Sequence, residues 1–436
     1  MINLRPHQDR ILDRMLSYNK GQIIVPTGGG KTLTMILDTQ RRHDSITNGT
    51  TTVVVAPRIL LAEQLCSEFL EVIDTANTHI MHVHSGETHH YSSTKAEKIH
   101  LFANTARACG ENVIIFTSYH SLHRVMDADI EVNTIYFDEA HNSVQRHFFP
   151  STEFFLENAD RAYCYTATPK HSLTPKKPGM NWSVYGQVLV NVPAPELVEG
   201  GFILPPKVVV KQLPMIKGRK VVYAEDCDNL LETIDDNNIN KTLICARTTK
   251  QIVGLLSQSN FCSELYQRGY SWMTITSKTG AIIDGKKVNR EEFFNTLNTW
   301  GKDATKKFVV IHHSILSDKT GAIIDGKKVN REEFFNTLNT WGKDATKKFV
   351  VIHHSILSEG INVSGLEAVI FMRNMDFIGI SQSIGRVIRL GGSEKTFGLV
   401  CIPTYDAVGI GTARKVQAVV DTVFNQGQPA ISEIRR

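Results

Sequence analysis

Short runs of valine and isoleucine, each followed by a stretch with helical apolar spacing, recur along this chain of 436 residues, and few folds accept that alternation. A run apolar at every position has no solvent face, so it belongs to a strand covered on both sides. A helix after each strand is the connection parallel neighbours need. The runs predict strands near 22–26, 52–56, 79–84, 112–117, 132–138 and 161–166, and a second series near 207–212, 241–246, 271–276, 348–353, 366–372 and 396–402. Between the series, Pro175, Pro178, Pro193, Pro195, Pro205 and Pro206 gather with Gly179, Gly200 and Gly201, which predicts a boundary. The expected fold class is α/β, in two tandem domains each built on a parallel sheet covered by helices. Their expected extents are 1–170 and 207–436, with a linker over 171–206.

Composition mainly excludes. With 42% hydrophobic and 21% charged residues, the chain holds no apolar run near the roughly 20 residues that span a bilayer. Residues 1–20 carry a charged amphipathic pattern in place of a signal-peptide core, so a cytoplasmic protein with no membrane role is expected. The cysteines (66, 109, 164, 227, 245, 262, 401) form no C-x-x-C pair and read as reduced, packed thiols. A net charge of +4 permits a polyanionic partner without demanding one. His82, His84, His89 and His90 straddle a strand end without supporting acids or thiols, which favours packing over a metal site. His353 and His354 are read the same way.

Two motifs carry chemistry on their own. Val25-Pro26-Thr27-Gly28-Gly29-Gly30-Lys31-Thr32 follows a short strand and precedes a helical run. That is the context of a phosphate loop: glycines let the backbone approach, N–H groups and the helix N-terminus face the anion, Lys31 reaches the outer phosphates and Thr32 holds Mg²⁺. Val25 stands where the general pattern has glycine, and a glycine turn before a helix would look similar. Asp138-Glu139-Ala140-His141 follows the apolar run Ile135-Tyr136-Phe137. A carboxylate at a strand end can hold Mg²⁺ while its neighbour accepts a proton from attacking water, although two solvated acids would read alike in isolation.

With Lys31 these residues resemble superfamily 2 helicases of the DEAD/DEAH type, and further motifs of that family follow in order along nearly the whole chain. Arg5-Pro6-His7-Gln8 resembles the adenine-reading motif, with Gln8 on the base. Ala56-Pro57-Arg58 through Gln64, and Thr117-Ser118, resemble nucleic-acid motifs. Thr166-Ala167-Thr168 resembles the motif coupling hydrolysis to domain movement, in which His141 and Gln382 would share. Ile244-Cys245-Ala246-Arg247-Thr248, Ser358-Glu359-Gly360-Ile361-Asn362 and Gln382-Ser383-Ile384-Gly385-Arg386-Val387-Ile388-Arg389 resemble the second-domain motifs. The resemblance implies two RecA-like domains with ATP and Mg²⁺ in the cleft between them. Arg5, Gln8, residues 26–32, Gly360 and Asn362 would bind ATP, and Thr32 and Asp138 the metal. Lys31, Glu139, Arg386 and Arg389 would be catalytic, and Arg58, Gln64, Thr117, Ser118, Arg247 and Thr248 would meet nucleic acid. An arginine finger contributes roughly 10³ to 10⁵ in rate in such transfers, so hydrolysis would follow cleft closure.

Residues 195–206 resemble the interdomain segment of the restriction-subunit-like group, which includes phage recombination and repair helicases, and this favours DNA over RNA as partner. The chain is expected to act as a monomer without a nuclease. Lys170, His171, Lys176 and Lys177 with Trp182 read as a solvated linker or as added backbone contacts. DNA unwinding or branch migration is the leading expectation. A duplex translocase, an RNA helicase and an inactive scaffold are the alternatives.

Residues 278–317 recur unchanged as 319–358, an offset of 41. Only the second copy runs on into Glu359-Gly360-Ile361-Asn362, so its strand is expected to occupy the sheet. The helix expected at 289–300 or 330–341 can come from either copy, and the surplus segment is expected at the periphery.

Overall fold

A computed structural model describes residues 3–86, 88–213, 223–239, 241–246, 248–274, 282–283, 286–287, 309–311, 322–324, 327–329, 340–341, 344, 349–353, 366–372, 376–390, 396–405 and 410–426. The chain divides into two compact units, Met1–Leu197 and Val198–Asn425.

The first unit is built on β1 (Lys20–Ile24), β2 (Thr51–Ala56), β3 (Thr78–Val83), β4 (Tyr91–Ser92), β5 (Asn112–Ser118), β6 (Thr134–Phe137), β7 (Arg161–Thr166) and β8 (Val188–Asn191). They form one sheet in the order β4-β3-β5-β2-β6-β7-β1-β8, parallel throughout. Strands β2, β5, β6 and β7 are buried at every residue, the polar ends that flank their apolar centres included. Register brings their carboxyl ends side by side, with Ala56 opposite Ser118, Val55 opposite Phe137, Phe137 opposite Cys164 and Ile24 opposite Thr166. Every segment leaving those ends therefore emerges at one edge of the sheet, where open α/β sheets bind ligands.

Helix α1 (Pro6–Ser17) starts with proline at its first turn and buries Ile11, Leu12 and Met15 on one face. Helix α2 (Lys31–Ser45) follows the glycine loop. The two are tied to the sheet by a buried polar cluster. Arg161 at the head of β7 donates to both carboxylate oxygens of Asp38 in α2 at 2.8 and 2.9 Å, and to Met15 O of α1 at 3.0 Å. Tyr136 of β6 donates to Asp38 at 2.6 Å.

The proline-rich segment differs from the linker expected over 171–206. Within it Val188–Asn191 forms β8 alongside β1, Gln22 donates to Met180 O at 2.9 Å, and Met180 and Tyr185 are fully buried. Pro175, Pro178 and Pro193 lie between pieces of the first unit, whereas Pro205 and Pro206 lead into the second; a four-residue apolar strand among them gives too short a run to stand out.

The second unit carries β9 (Pro206–Leu213), β10 (Lys241–Cys245) and β11 (Ser271–Thr274). Next come the paired β12 (Ile282–Ile283) and β13 (Lys286–Lys287), β14 (Val309–Ile311), the paired β15 (Ala322–Ile324) and β16 (Lys327–Val329), β17 (Phe349–His353), β18 (Ala368–Phe371) and β19 (Gly398–Tyr405). Seven of them form a parallel sheet in the order β14-β11-β17-β10-β18-β19-β9. The second copy of the duplication thus supplies the inner strand β17, between β10 and β11, as expected. The first copy does not leave the sheet entirely: its Val309–Ile311 adds β14 at the edge beyond β11. In each copy the two short strands pair antiparallel in the same register, Ile282 with Lys287 and Ile323 with Lys328. The helix expected at 289–300 lies outside the described residues. So do Arg247 and the motif 358–362, with Gly360 and Asn362.

Candidate nucleotide and hydrolysis site

The glycine loop leaves the end of β1. Val25, the departure from the usual glycine, is fully buried, and its N–H bonds Thr166 O at 2.9 Å, so this position extends the strand. Gly28 and Gly30 sit at φ 89° and 79°, where side-chain-bearing residues are strained. A Cβ at Gly30 would strike the Gln8 amide, and one at Gly29 would strike Val25. Gly30 caps α2, whose first residues are Lys31 and Thr32.

Behind the loop, α1 grips consecutive carbonyls. The Arg5 guanidinium donates to Gly28 O at 3.0 Å, His7 Nε2 to Gly29 O at 2.7 Å, and Gln8 Nε2 to Gly30 O at 3.2 Å. Gln8 Oε1 also accepts from Arg5 N at 3.0 Å, closing the helix start. Burial lowers the His7 pKa, so the ring is held neutral with a single N–H, which the Gly29 carbonyl receives. Arg5 and Gln8 are thus loop-holding residues in this structure, and His7, which the motif reading passed over, is buried beside Gln8 as a third.

The acid pair follows β6. Asp138 and Glu139 are buried, and Glu139 adopts φ 46°. The Lys31 ammonium lies 3.6 Å from one Glu139 oxygen, and His141 Nδ1 lies 3.5 Å from the other. His141 Nδ1 also lies 3.0 Å from Thr166 Oγ1, which accepts from Thr168 N at 3.1 Å. Phosphate-loop lysine, acid pair and the Thr166-Ala167-Thr168 turn therefore form one chain of polar contacts across the ends of β1, β6 and β7.

Burial, then the adjacent Glu139 carboxylate, push Asp138 up to about 7, with Lys31 pulling the other way. An acid held up in that way is relieved by a hard cation, and the carboxylate of Asp138 and the hydroxyl of Thr32 are oxygen donors of the type Mg²⁺ takes. The protein's own packing requires the glycines: a Cβ at Gly29 would meet Val25 and Pro26 O, and one at Gly30 the Gln8 amide.

The expected nucleic-acid residues are placed unevenly. Arg58 is exposed at the cap of helix Ile59–Leu70, and Gln64 within it donates to Glu68 at 2.7 Å. Thr117 and Ser118 are buried; the Thr117 hydroxyl donates to Val83 O at 2.8 Å, so this pair presents backbone rather than side chains. Thr248 is exposed and caps helix Thr249–Ser257, accepting from Gln251 N at 3.1 Å.

In the second unit, Asp376 caps helix Phe377–Val387, which carries Gln382 and Arg386, both buried. Three residues apart, Arg386 and Arg389 would share one face of a continuous helix. The helix ends at Val387, and Arg389 instead forms an antiparallel bridge with Ile203, its side chain half-buried. The neighbouring bond from Leu204 N to Ile388 O at 2.7 Å draws the chain out of helical geometry.

Among the described residues no group of three or more His, Cys, Asp or Glu is arranged to hold a metal ion, and no helix is long and apolar enough to cross a membrane. His82 stacks on Phe116 and His90 and bonds His84 at 2.9 Å.

Residues 1–171 match the family model for the res subunit of type III restriction enzymes. The fold is similar to the ATP-dependent type ISP restriction-modification enzyme LlaBIII bound to DNA, at TM-score 0.64 and 16% identity, covering 97% of this chain and 30% of that one. A nuclease-deletion mutant of the type ISP enzyme LlaGI with a DNA substrate mimic gives TM-score 0.63 and 17% identity, over 98% of this chain and 29% of that one. Mss116p bound to single-stranded RNA and AMP-PNP gives TM-score 0.57 and 14% identity, over 100% of this chain and 75% of that one. The chain therefore spans under a third of the two restriction enzymes, and at these identities the likeness is one of fold. No curated protein matches the chain.

Proposed function

We propose that this chain is a superfamily 2 helicase that uses ATP hydrolysis to unwind or branch-migrate DNA. The observation that carries the reading is the polar chain from Lys31 through Glu139 and His141 to Thr166, which joins the phosphate loop to the segment expected to couple hydrolysis to movement. Lys31 would bind the outer phosphates, and Glu139 would orient the attacking water and take its proton. Thr32 and Asp138 would hold Mg²⁺, which neutralises phosphate charge. Arg386 and Arg389 are the proposed charge partners of the transferring phosphoryl group. Arg58, exposed beside the same sheet edge, is the first candidate for a phosphate of the nucleic-acid backbone.

DNA is favoured over RNA because the matching family model is a restriction subunit and the restriction enzymes of similar fold are described with DNA. ATP hydrolysis measured alone and with single-stranded DNA, duplex DNA and RNA, followed by strand-displacement and junction assays, tests the proposal. Stimulation by DNA with strand separation is expected. Stimulation by duplex without separation would make the chain a translocase, RNA-only stimulation an RNA helicase, and absent hydrolysis a scaffold.

A further inference from the structure

Tyr119 stands directly after Thr117-Ser118 at the end of β5 and is 1% exposed. Its N–H bonds Ala56 O at 3.0 Å, and its ring stacks on Phe137 and Phe148 at 6.3 and 5.7 Å. Burial holds the phenol far above its ordinary pKa, so the hydroxyl keeps its proton and donates it to Asp138 O at 2.9 Å. That carbonyl belongs to the peptide joining Asp138 to Glu139. The other groups around this peptide are fixed as well: Asp138 N bonds Val55 O at 2.8 Å, and Glu139 O accepts from Asn142 Nδ2 at 3.1 Å. Glu139 itself sits at φ 46°, a left-handed conformation that is strained for a non-glycine residue. Rotation of the 138–139 peptide would relax that strain and swing the carboxylate away from Lys31 and His141.

We propose that Tyr119 is a positioning residue that transmits the state of the Thr117-Ser118 segment to the Glu139 carboxylate. The proposal rests on the reading of that segment as part of the nucleic-acid surface. A nucleic-acid strand shifting the end of β5 moves Tyr119 with it, since the two are consecutive in the chain. The hydroxyl then carries the displacement across β2 to the peptide that orients the general base. The ring alone cannot do this, because stacking on Phe137 and Phe148 places the side chain without fixing the carbonyl.

The test is Tyr119→Phe, assayed for ATP hydrolysis with and without a single-stranded DNA oligonucleotide, a duplex and an RNA oligonucleotide. The expected result is a fall of about tenfold or more in stimulated kcat with KM for ATP within about twofold of wild type, and a smaller change in the basal rate. Tyr270→Phe is the control. It removes a tyrosine bond to a backbone carbonyl, Ile239 O at 2.6 Å, in the second unit and should leave both rates unchanged. Equal stimulation of Tyr119→Phe and a stimulated wild type overturns the proposal alone, whereas a wild type indifferent to every nucleic acid overturns the underlying reading as well. Should Tyr119→Phe melt below the assay temperature, 4-aminophenylalanine at 119 replaces it, keeping the ring with a weaker donor. A partial loss of stimulated kcat at unchanged KM supports the proposal, and wild-type kcat overturns it.

Discussion

The Lys31 ammonium stands 3.6 Å from the Glu139 carboxylate, so the group assigned to phosphate and the group assigned to water already face one another. Their removal should separate binding from chemistry. Lys31→Ala loses a charge-assisted contact worth about 1.5–3 kcal/mol and should weaken ATP binding roughly 10- to 100-fold. Glu139→Gln keeps the shape but cannot accept the proton, so ATP binding should persist while kcat falls about 10²- to 10⁴-fold. Equilibrium nucleotide binding beside steady-state kinetics checks both, and near-normal turnover in Glu139→Gln would remove Glu139 from its role.

Arg386→Ala and Arg389→Ala should each lower nucleic-acid-stimulated hydrolysis by about 10²-fold or more, the loss expected for a charge partner of the transition state. Their effects on folding should differ. Arg386 is 3% exposed within its helix, whereas Arg389 is half-buried beyond it, so only the first substitution should lower the melting temperature clearly. Melting curves beside stimulated rates separate the contributions, and full stimulated turnover in Arg389→Ala would exclude it as a finger.

Acid should destabilise the first unit through His82. Burial first, then His84 and His90, lower its pKa from the ordinary 6.5 to about 3. A group depressed on folding stays neutral in the native state while the unfolded chain takes up its proton below 6.5. Its contribution is therefore complete above that value and lost as pH falls toward 3. At pH 5 the loss is about 2 kcal/mol. His82→Phe, which cannot titrate, should flatten the decline in melting temperature between pH 7 and pH 5; an unchanged slope would assign the acid sensitivity elsewhere.

Deleting residues 278–318 joins Ser277 to Lys319 and removes the edge strand β14 while leaving β17 between β10 and β11. The shortened protein should fold, hydrolyse ATP at least as well and melt no lower than the full chain, because long insertions cost little in loop entropy. Unfolding or loss of stimulated turnover on deletion would show that the first copy is integral to the sheet.

The inner strands were legible because valine and isoleucine runs buried on both faces leave few alternatives, and the glycine loop and acid pair stood at their ends. β8 was not, since Val188-Leu189-Val190-Asn191 lies among prolines and takes its place by pairing with a strand over 160 residues earlier. Arg161 and Asp38 belong to no motif, and their buried pairing joins positions 123 residues apart. Tyr119 belongs to no motif, and only its hydroxyl's partner sets it apart from the other core aromatics. His7 had a signal that could have been used, its place between Arg5 and Gln8 on the first turn of α1.

The grip of α1 on three successive carbonyls settles which way the loop's peptide planes face. In a trans peptide the C=O of one residue and the N–H of the next point in opposite directions, and no cis bond occurs among the described residues. Drawing Gly29 O and Gly30 O toward His7 and Gln8 thus turns the N–H groups of Gly30 and Lys31 away from α1, as oriented dipoles for an anion, while Gly29 N–H is taken by Pro26 O at 3.0 Å. A helix whose motif is associated with adenine would then govern the phosphates. His7→Ala should weaken pyrophosphate, GTP and ATP by a similar factor of roughly ten, measured by calorimetry. A loss confined to ATP would mean that α1 reads the base and leaves the loop's polarity to the glycines alone.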